Sequence, residues 1–138
     1  MTTDMYQESY IQQGAVQWFR LQYPTYWRLL IKVPNEAKRD LVLVRRKDGS
    51  YRYVCPAAQR AKAEGMVKGA ADMLLLVPRG GYGALAIEFK TAKGKASEDQ
   101  LAWLHDFEAA GNKACICRSV DDFIEMVTLY MNGNLKRQ

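Results

Sequence analysis

The first half of the chain shows a helical spacing of apolar residues, followed by a strand pattern. The helical positions are Ile11, Ala15, Trp18 and Phe19, and the stretch ends at Pro24. Asp48-Gly49 separates two apolar runs, which is typical of a β-hairpin. The elements predicted in this half are a helix over 3–23, a strand over 27–33, a hairpin of 41–44 with 51–54, and a helix over 56–64.

The second half has a clearer pattern, because long apolar runs alternate with turn residues. Ser97 with Gln100 predicts a capping box at a helix start, and Gly111 predicts its end. The elements predicted in this half are strands over 72–77, 84–90 and 114–117 and helices over 97–110 and 120–131. This order indicates an α/β fold with a mixed central sheet flanked by helices. Because no repeat or linker divides the chain, we expect one domain over residues 1–138.

Composition and charge narrow the classes of function. The 138 residues carry 20 Lys and Arg against 15 Asp and Glu, for a net charge of +5 and a pI near 9.2. This excess permits a polyanionic partner. The longest apolar run, residues 73–77, is far shorter than the roughly 20 residues of a membrane span. Since the first residues show no secretory signal, we expect a cytoplasmic protein with no membrane partner.

The cysteine and histidine content disfavours two kinds of site. The chain has three cysteines without a CxxC pair, and its one histidine is His105. This content disfavours a structural zinc site and a Cys-His or Ser-His-Asp hydrolase. Carboxylates and lysines are therefore the expected carriers of any chemistry.

The strand over 84–90 carries the most informative polar residues. Side chains alternate along a strand, so Glu88 and Lys90 share one face. A hairpin at Gly80-Gly81 brings Asp72 towards them. Two carboxylates held close repel each other unless they share a cation, and oxygen ligands of this kind suit Mg²⁺. Taken singly, Glu88 with Lys90 is also explained by a solvated ion pair, and Asp72 by a turn or cap residue.

Four short motifs occur in order between residues 69 and 100. They are Gly69-Ala70-Ala71-Asp72, Pro78-Arg79-Gly80-Gly81-Tyr82, Ile87-Glu88-Phe89-Lys90 and Ser97-Glu98-Asp99-Gln100. The ordered set resembles the VRR-NUC family of the PD-(D/E)xK nuclease superfamily, in its stand-alone phage or bacterial form. The likeness covers about residues 55–130 well and the first helix more loosely. It implies a restriction endonuclease-like fold with an αβββαβ core.

The resemblance also implies a metal site. Asp72 and Glu88 would hold Mg²⁺ or Mn²⁺, and the backbone carbonyl of Phe89 would be a further ligand. Glu8 on the first helix would reach the metal directly or through water. Glu8 lies on the apolar stripe of that helix, where a carboxylate is costly unless compensated. This favours a site role, while fraying of the terminus would leave Glu8 in water.

Two further roles follow from the resemblance. Lys90 would orient the attacking water and stabilise charge on the phosphate. Gln100 is the family's helix glutamine, expected near that lysine or the scissile phosphate. A capping box alone also explains Gln100, so the two interpretations compete. The family usually has proline immediately before the aspartate. This chain has Ala71 there, and we expect activity to survive the difference.

Basic residues outside the motifs are candidate contacts to DNA phosphates. Lys93 and Lys95 follow the catalytic strand, and Arg45, Arg46 and Lys47 lie near the predicted hairpin turn. Contacts to phosphates position a substrate without reading its sequence. The alternative for each of these residues is ordinary solvated surface.

The sequence therefore predicts a metal-dependent endonuclease that hydrolyses phosphodiester bonds in DNA. The resemblance implies activity on branched DNA, like a Holliday junction resolvase in repair or recombination, and a homodimer with two active sites. Two alternatives remain. One is a restriction-like endonuclease that recognises a short sequence, and the other is a catalytically silent DNA-binding domain.

Overall fold

A computed structural model describes residues 3–34 and 42–135. The elements of the first half are α1 (Thr3–Gln22), a 3-10 helix (Pro24–Leu29), β1 (Leu30–Lys32), β2 (Val42–Arg45), β3 (Tyr51–Val54) and α2 (Pro56–Ala63). Those of the second half are β4 (Met73–Leu75), β5 (Leu85–Phe89), α3 (Glu98–Ala109), β6 (Lys113–Cys117) and α4 (Val120–Met131). Within the described residues, no helix is both long enough and apolar enough to span a membrane.

The chain divides into two compact units, Met1–Val33 with Gly69–Gln138 and, separately, Pro34–Lys68. We call them the sheet unit and the hairpin unit. The expectation of a single domain over residues 1–138 stays a prediction.

A four-stranded sheet organises the sheet unit. Its order is β1-β4-β5-β6. The β1–β4 and β4–β5 pairs are antiparallel, and β5–β6 is parallel. Along the chain, the elements of this unit run α1, β1, β4, β5, α3, β6 and α4. The predicted mixed α/β fold with an αβββαβ core is therefore confirmed, with β2, β3 and α2 inserted between β1 and β4.

Both faces of the sheet are covered, so its central strands are buried. All five residues of β5 are buried. One face packs in a cluster that includes Phe19 of α1 and Phe123, Val127 and Tyr130 of α4. The other face packs against α3 through Ala86 and Leu104. Because both faces of the sheet are buried, the sequences of β4 and β5 are nearly continuous apolar runs and do not alternate between apolar and polar residues.

The predicted strand over residues 27–33 is wrong in its first part. Residues Pro24–Leu29 form a 3-10 helix with Pro24 in its first turn, and only Leu30–Lys32 form a strand. Proline presets the helical φ angle at such a position. Tyr23 and Tyr26, just before the predicted strand, pack against the core. Packing decided the local conformation against intrinsic propensity.

The hairpin unit contains the predicted β-hairpin. β2 and β3 pair in antiparallel register, with Val42 opposite Val54 and Arg45 opposite Tyr51. Gly49 has a φ of 88°, which suits it to the turn. Leu41, also predicted in this hairpin, lies outside the described residues. None of the described residues of this unit, 42–68, is buried.

Candidate active site

The candidate site lies where β4 begins and β5 ends. The register pairs Met73 with Ile87, so Asp72 and Glu88 are neighbours across the two strands. The backbone N–H of Phe89 donates a hydrogen bond of 2.7 Å to Asp72 Oδ2. Glu88 is only 2% exposed. The hairpin thus brings the two carboxylates together, one half-buried and the other fully buried.

The two oxygens of Glu88 have different environments. Oε1 accepts a hydrogen bond of 3.1 Å from Gln100 Nε2 and lies 3.7 Å from Lys90 Nζ. Oε2 is buried and has no hydrogen-bond partner among the described residues. An unsatisfied buried oxygen costs free energy unless it gains a partner, such as a bound cation. The unpartnered Oε2 is therefore the observation that points to a cation.

The pKa of Glu88 reflects this crowding. The pKa of Glu88 is raised from 4.5 to about 8, chiefly by burial and next by the negative charge of Asp72. The ammonium of Lys90 lowers it, while a hydrogen bond to Asp72 and the charge of Glu8 raise it. Two ionised carboxylates can only accept, so the Asp72 contact is a hydrogen bond when Glu88 is protonated. Without a cation, burial and like charge favour the neutral acid over the carboxylate.

Gln100 forms the predicted capping box and also contacts Glu88, while its predicted role at the scissile phosphate stays a prediction. Its Oε1 accepts a hydrogen bond of 2.8 Å from the Ser97 N–H, and Ser97 Oγ accepts from the Gln100 N–H. This is a complete capping box. The amide nitrogen of the same side chain donates to Glu88. Because the cap fixes the amide, it also fixes the direction from which Glu88 is held.

Gly69 allows the segment before Asp72 to lie directly against the start of α3. Its φ is 88°, and a Cβ added there would lie 2.5 Å from the carbonyl of Asp99 and 2.8 Å from the Gln100 nitrogen. Only glycine fits such a contact. Ala71, at the family's proline position, is fully buried. The Gly69-Ala70-Ala71-Asp72 motif therefore packs the segment before β4 against α3, the helix that carries Gln100.

Glu8 lies on α1 and is half-buried, on the stripe that includes the buried Ala15 and Phe19. It is near enough to influence the Glu88 carboxyl electrostatically. Among residues 3–34 and 42–135, however, no three His, Cys, Asp or Glu side chains form a group able to hold a metal. The structure therefore puts Glu8 near the site without making it a third close carboxylate.

Comparison with known proteins identifies the family. The family model of the VRR-NUC domain matches residues 6–121. The chain belongs to the VRR-NUC family. A solved structure described as a VRR_NUC domain protein is similar in fold, with a TM-score of 0.71. It is 19% identical, over 91% of this chain and 88% of that one. No curated protein matches.

Membership of the VRR-NUC family makes this chain a nuclease domain, which implies DNA as substrate. Nucleases of this family are generally metal-dependent, and the site described above fits a divalent cation. Two adjacent carboxylates supply hard oxygen donors, and Mg²⁺ is often bound by one or two carboxylates with water completing its shell. Glu88 Oε2 accepts no hydrogen bond from the described residues, so this oxygen is available to a cation.

The candidate DNA-contacting residues are divided between the sheet unit and the hairpin unit. Lys93 and Lys95 are exposed in the loop between β5 and α3, directly after Lys90. Arg45 ends β2 and Arg46 follows it; both are exposed in the hairpin unit.

Sequence analysis did not single out Arg118. This residue follows β6, the parallel neighbour of β5, and its side chain donates hydrogen bonds to the carbonyls of Thr91 and Gly94. The sequence feature that could have indicated Arg118 is its position directly after the predicted strand over 114–117. The carboxyl ends of neighbouring parallel strands meet at one edge of a sheet, where sites commonly form.

Proposed function

We propose that this chain is a metal-dependent endonuclease that hydrolyses phosphodiester bonds in DNA. The supporting observation is the carboxylate pair of Asp72 and the buried Glu88, with Lys90 Nζ 3.7 Å from Glu88 Oε1. Buried like charges of this kind, with a perturbed pKa, are typical of functional sites. The proposed site consists of Asp72, Glu88, Lys90, Gln100 and Glu8.

The carboxylates would hold Mg²⁺ or Mn²⁺. Asp72 and Glu88 Oε2 are its side-chain ligands in this proposal, the Phe89 carbonyl is a backbone ligand, and Glu8 acts through water. A bound divalent cation supplies Lewis acidity to the phosphate and lowers the pKa of a nearby water. The Phe89 N–H fixes Asp72 in place, so the ligand geometry is set before substrate arrives.

Lys90 acts on the reacting groups, whereas Gln100 acts on Glu88. The Lys90 ammonium orients the attacking water and stabilises the negative charge that grows on the phosphate in the transition state. Gln100 is a positioning residue, because it reaches the chemistry only through Glu88. Its hydrogen bond to Oε1 would leave Oε2 available to a cation.

The preferred substrate and assembly complete the proposal. We propose that one domain over residues 1–138, working as a cytoplasmic homodimer, cuts branched DNA in repair or recombination. Two active sites related by a two-fold axis suit a junction with paired strands. The exposed Val42, Leu43, Tyr51 and Tyr53 of the hairpin unit provide apolar surface suitable for a partner subunit. Trp27 is also exposed, whereas Tyr23 and Tyr26 are half-buried and pack against the core.

A cleavage assay tests the proposed function. The purified chain is incubated with labelled four-way junctions and matched linear duplexes, with Mg²⁺, Mn²⁺ or EDTA. We expect cleavage of junctions only with metal, and its loss in Asp72→Ala. Asp106→Ala, an exposed aspartate on α3, is the matched control and should cut normally. Sedimentation or light scattering measures the dimer.

The other outcomes separate the alternatives. Binding of DNA without cleavage under any metal would support a silent DNA-binding domain. Cuts confined to one short duplex sequence would support a restriction-like enzyme. Cleavage that persists in EDTA would contradict metal dependence itself.

A further inference from the structure

Arg118 emerges from the sheet beside the catalytic strand. β5 and β6 are parallel, with Phe89 opposite Cys117. The next backbone N–H, that of Lys90, donates a hydrogen bond of 3.0 Å to the Cys117 carbonyl. Arg118 therefore follows β6 at the same edge where Lys90 follows β5.

One nitrogen of the Arg118 side chain is fully used within the protein. Nη1 donates to the Thr91 carbonyl at 2.8 Å and to the Gly94 carbonyl at 2.6 Å. The loop between these carbonyls is itself closed, since the Gly94 N–H donates to the Thr91 hydroxyl and carbonyl. The two bonds consume both hydrogens of Nη1 and fix the plane of the guanidinium.

The opposite edge of the guanidinium is available. Among the described residues, the Arg118 side chain donates only through Nη1, so Nε and Nη2 have no acceptor, and Arg118 is exposed. The nearby Asp122 carboxylate accepts from the backbone N–H of Arg118 rather than from its side chain. Nε and Nη2 together form the planar fork of donors that binds two oxygens of one anion.

The loop that Arg118 holds supplies more positive charge. Lys93 and Lys95 lie on it, both exposed. A planar fork with two neighbouring ammonium groups matches a phosphodiester, which offers two unesterified oxygens and one negative charge. Fixing the guanidinium beforehand also removes part of the side-chain entropy lost on binding.

We infer that Arg118 is a DNA-binding residue, whose Nε–Nη2 edge binds a backbone phosphate beside the scissile one. This inference rests on the proposed function for its substrate. In this proposal Arg118 contributes to DNA affinity and to the position of the DNA backbone on the protein, and it takes no part in bond cleavage.

Binding measured without cleavage tests the inference. The affinity of the full chain for a junction in EDTA is followed as salt rises from about 50 to 200 mM. Each neutralised phosphate contributes about 0.9 to the slope of log affinity against log salt. For Arg118→Ala we expect roughly tenfold weaker binding and a slope smaller by about one. Lys113→Ala removes an equal charge at the other end of β6 and should leave the slope unchanged.

Arg118→Lys tests the fork itself. Lysine keeps the charge but lacks the planar pair of donors, so we expect a slope near wild type with several-fold weaker binding. With Mg²⁺, Arg118→Ala should raise KM about tenfold and leave kcat within a factor of two. Thermal unfolding of each variant identifies any that fail to fold, in which case Arg118→Lys carries the test.

The outcomes distinguish this inference from the proposed function. An unchanged salt slope in a folded Arg118→Ala, or Arg118→Lys binding as wild type, would overturn the phosphate contact while leaving cleavage intact. A changed slope in a chain that never cuts DNA would support the contact and overturn the nuclease. A chain that binds no DNA would overturn both.

Discussion

The β4–β5 pair and the β2–β3 pair are both antiparallel and both rich in apolar residues, yet they differ in burial. β5 is buried at every position, whereas none of residues 42–68 is buried. β4 and β5 have neighbouring strands and helices on both faces, and β2 and β3 form a two-stranded sheet. Apolar content therefore does not show whether a hairpin belongs to a core.

Acidic residues in the two regions show the chemical consequence. Hydrogen bonds from the side chain and backbone of Ser50 lower the pKa of Asp48, which is exposed in the hairpin turn. Burial, together with the negative charge of Asp72, raises the pKa of Glu88 to about 8. Solvent and local donors stabilise one carboxylate, while desolvation and like charge destabilise the other. Only the second has a strong electrostatic need for a cation.

Removing a lysine from each region is expected to give the largest contrast. Lys90→Ala should lower kcat roughly 100- to 1,000-fold, because it removes a charge that stabilises the transition state. Lys47→Ala, in the hairpin turn, should change KM a few-fold and leave kcat unchanged. Steady-state cleavage of junction DNA in Mg²⁺ measures both. Equal kcat losses would remove the functional distinction between the regions.

Truncating a leucine in each region compares their packing. Leu75 in β4 is fully buried and Leu43 in β2 is 53% exposed. Leu75→Ala should lower the free energy of unfolding by about 2–5 kcal/mol, and Leu43→Ala by less than about 0.5 kcal/mol. Urea unfolding checks both values. A large loss in Leu43→Ala would show that the hairpin is covered in solution, for example by a second subunit.

The pH dependence of stability follows from Glu88. Its pKa is higher in the folded state, so the folded chain binds more protons than the unfolded chain between about pH 4.5 and 8. Glu88 therefore contributes fully to the free energy of unfolding below about pH 4.5, and this contribution is lost as the pH rises to about 8. Without divalent cations, wild type should melt several degrees lower at pH 8.5 than at pH 5.5.

Glu88→Gln isolates this effect, because the amide does not titrate. We expect a smaller decrease in melting temperature across the same pH range. Mg²⁺ should raise the wild-type melting temperature at pH 8.5 and have little effect on the variant. Identical pH profiles for the two proteins would contradict the raised pKa of Glu88.

Two substitutions of Gln100 separate its cap from its contact with Glu88. Gln100→Glu keeps an oxygen that can accept from Ser97 but places a carboxylate against Glu88, so activity should fall about 10- to 100-fold. Gln100→Ala loses both roles and should also cost about 0.5–2 kcal/mol of stability. Paired cleavage and unfolding measurements decide this. Full activity in Gln100→Glu would leave the glutamine only a structural role.

The smallest effect is expected in the hairpin unit. Arg45→Ala combined with Arg46→Ala should raise KM a few-fold at about 150 mM salt and leave kcat unchanged, since exposed phosphate contacts add affinity without chemistry. Arg60→Ala with Arg52→Ala removes equal charge from the same unit as a control. Equal effects of the two double substitutions would show that Arg45 and Arg46 contribute only net positive charge and make no specific phosphate contact.

Much of the fold was predictable because periodicity is a local property. The bounds of α4, Val120–Met131, equal the predicted range, and the capping box of Ser97 and Gln100 is present as predicted. The 3-10 helix at Pro24–Leu29 was not predicted. Residues 27–29 were predicted as strand, but they lie in this 3-10 helix, where Tyr26 packs against the core together with the preceding Tyr23.

The sequence determined which residues can carry chemistry, since strand alternation put Glu88 and Lys90 on one face and a glycine turn returned the chain to Asp72. Tertiary structure decided how those groups differ. It buried Glu88, left Oε2 without a donor, and gave the Gln100 amide two partners at once. It also placed Arg118 against a loop some 25 residues earlier. Such features depend on solvent exclusion and on contacts between distant segments, which a local pattern of residues does not encode.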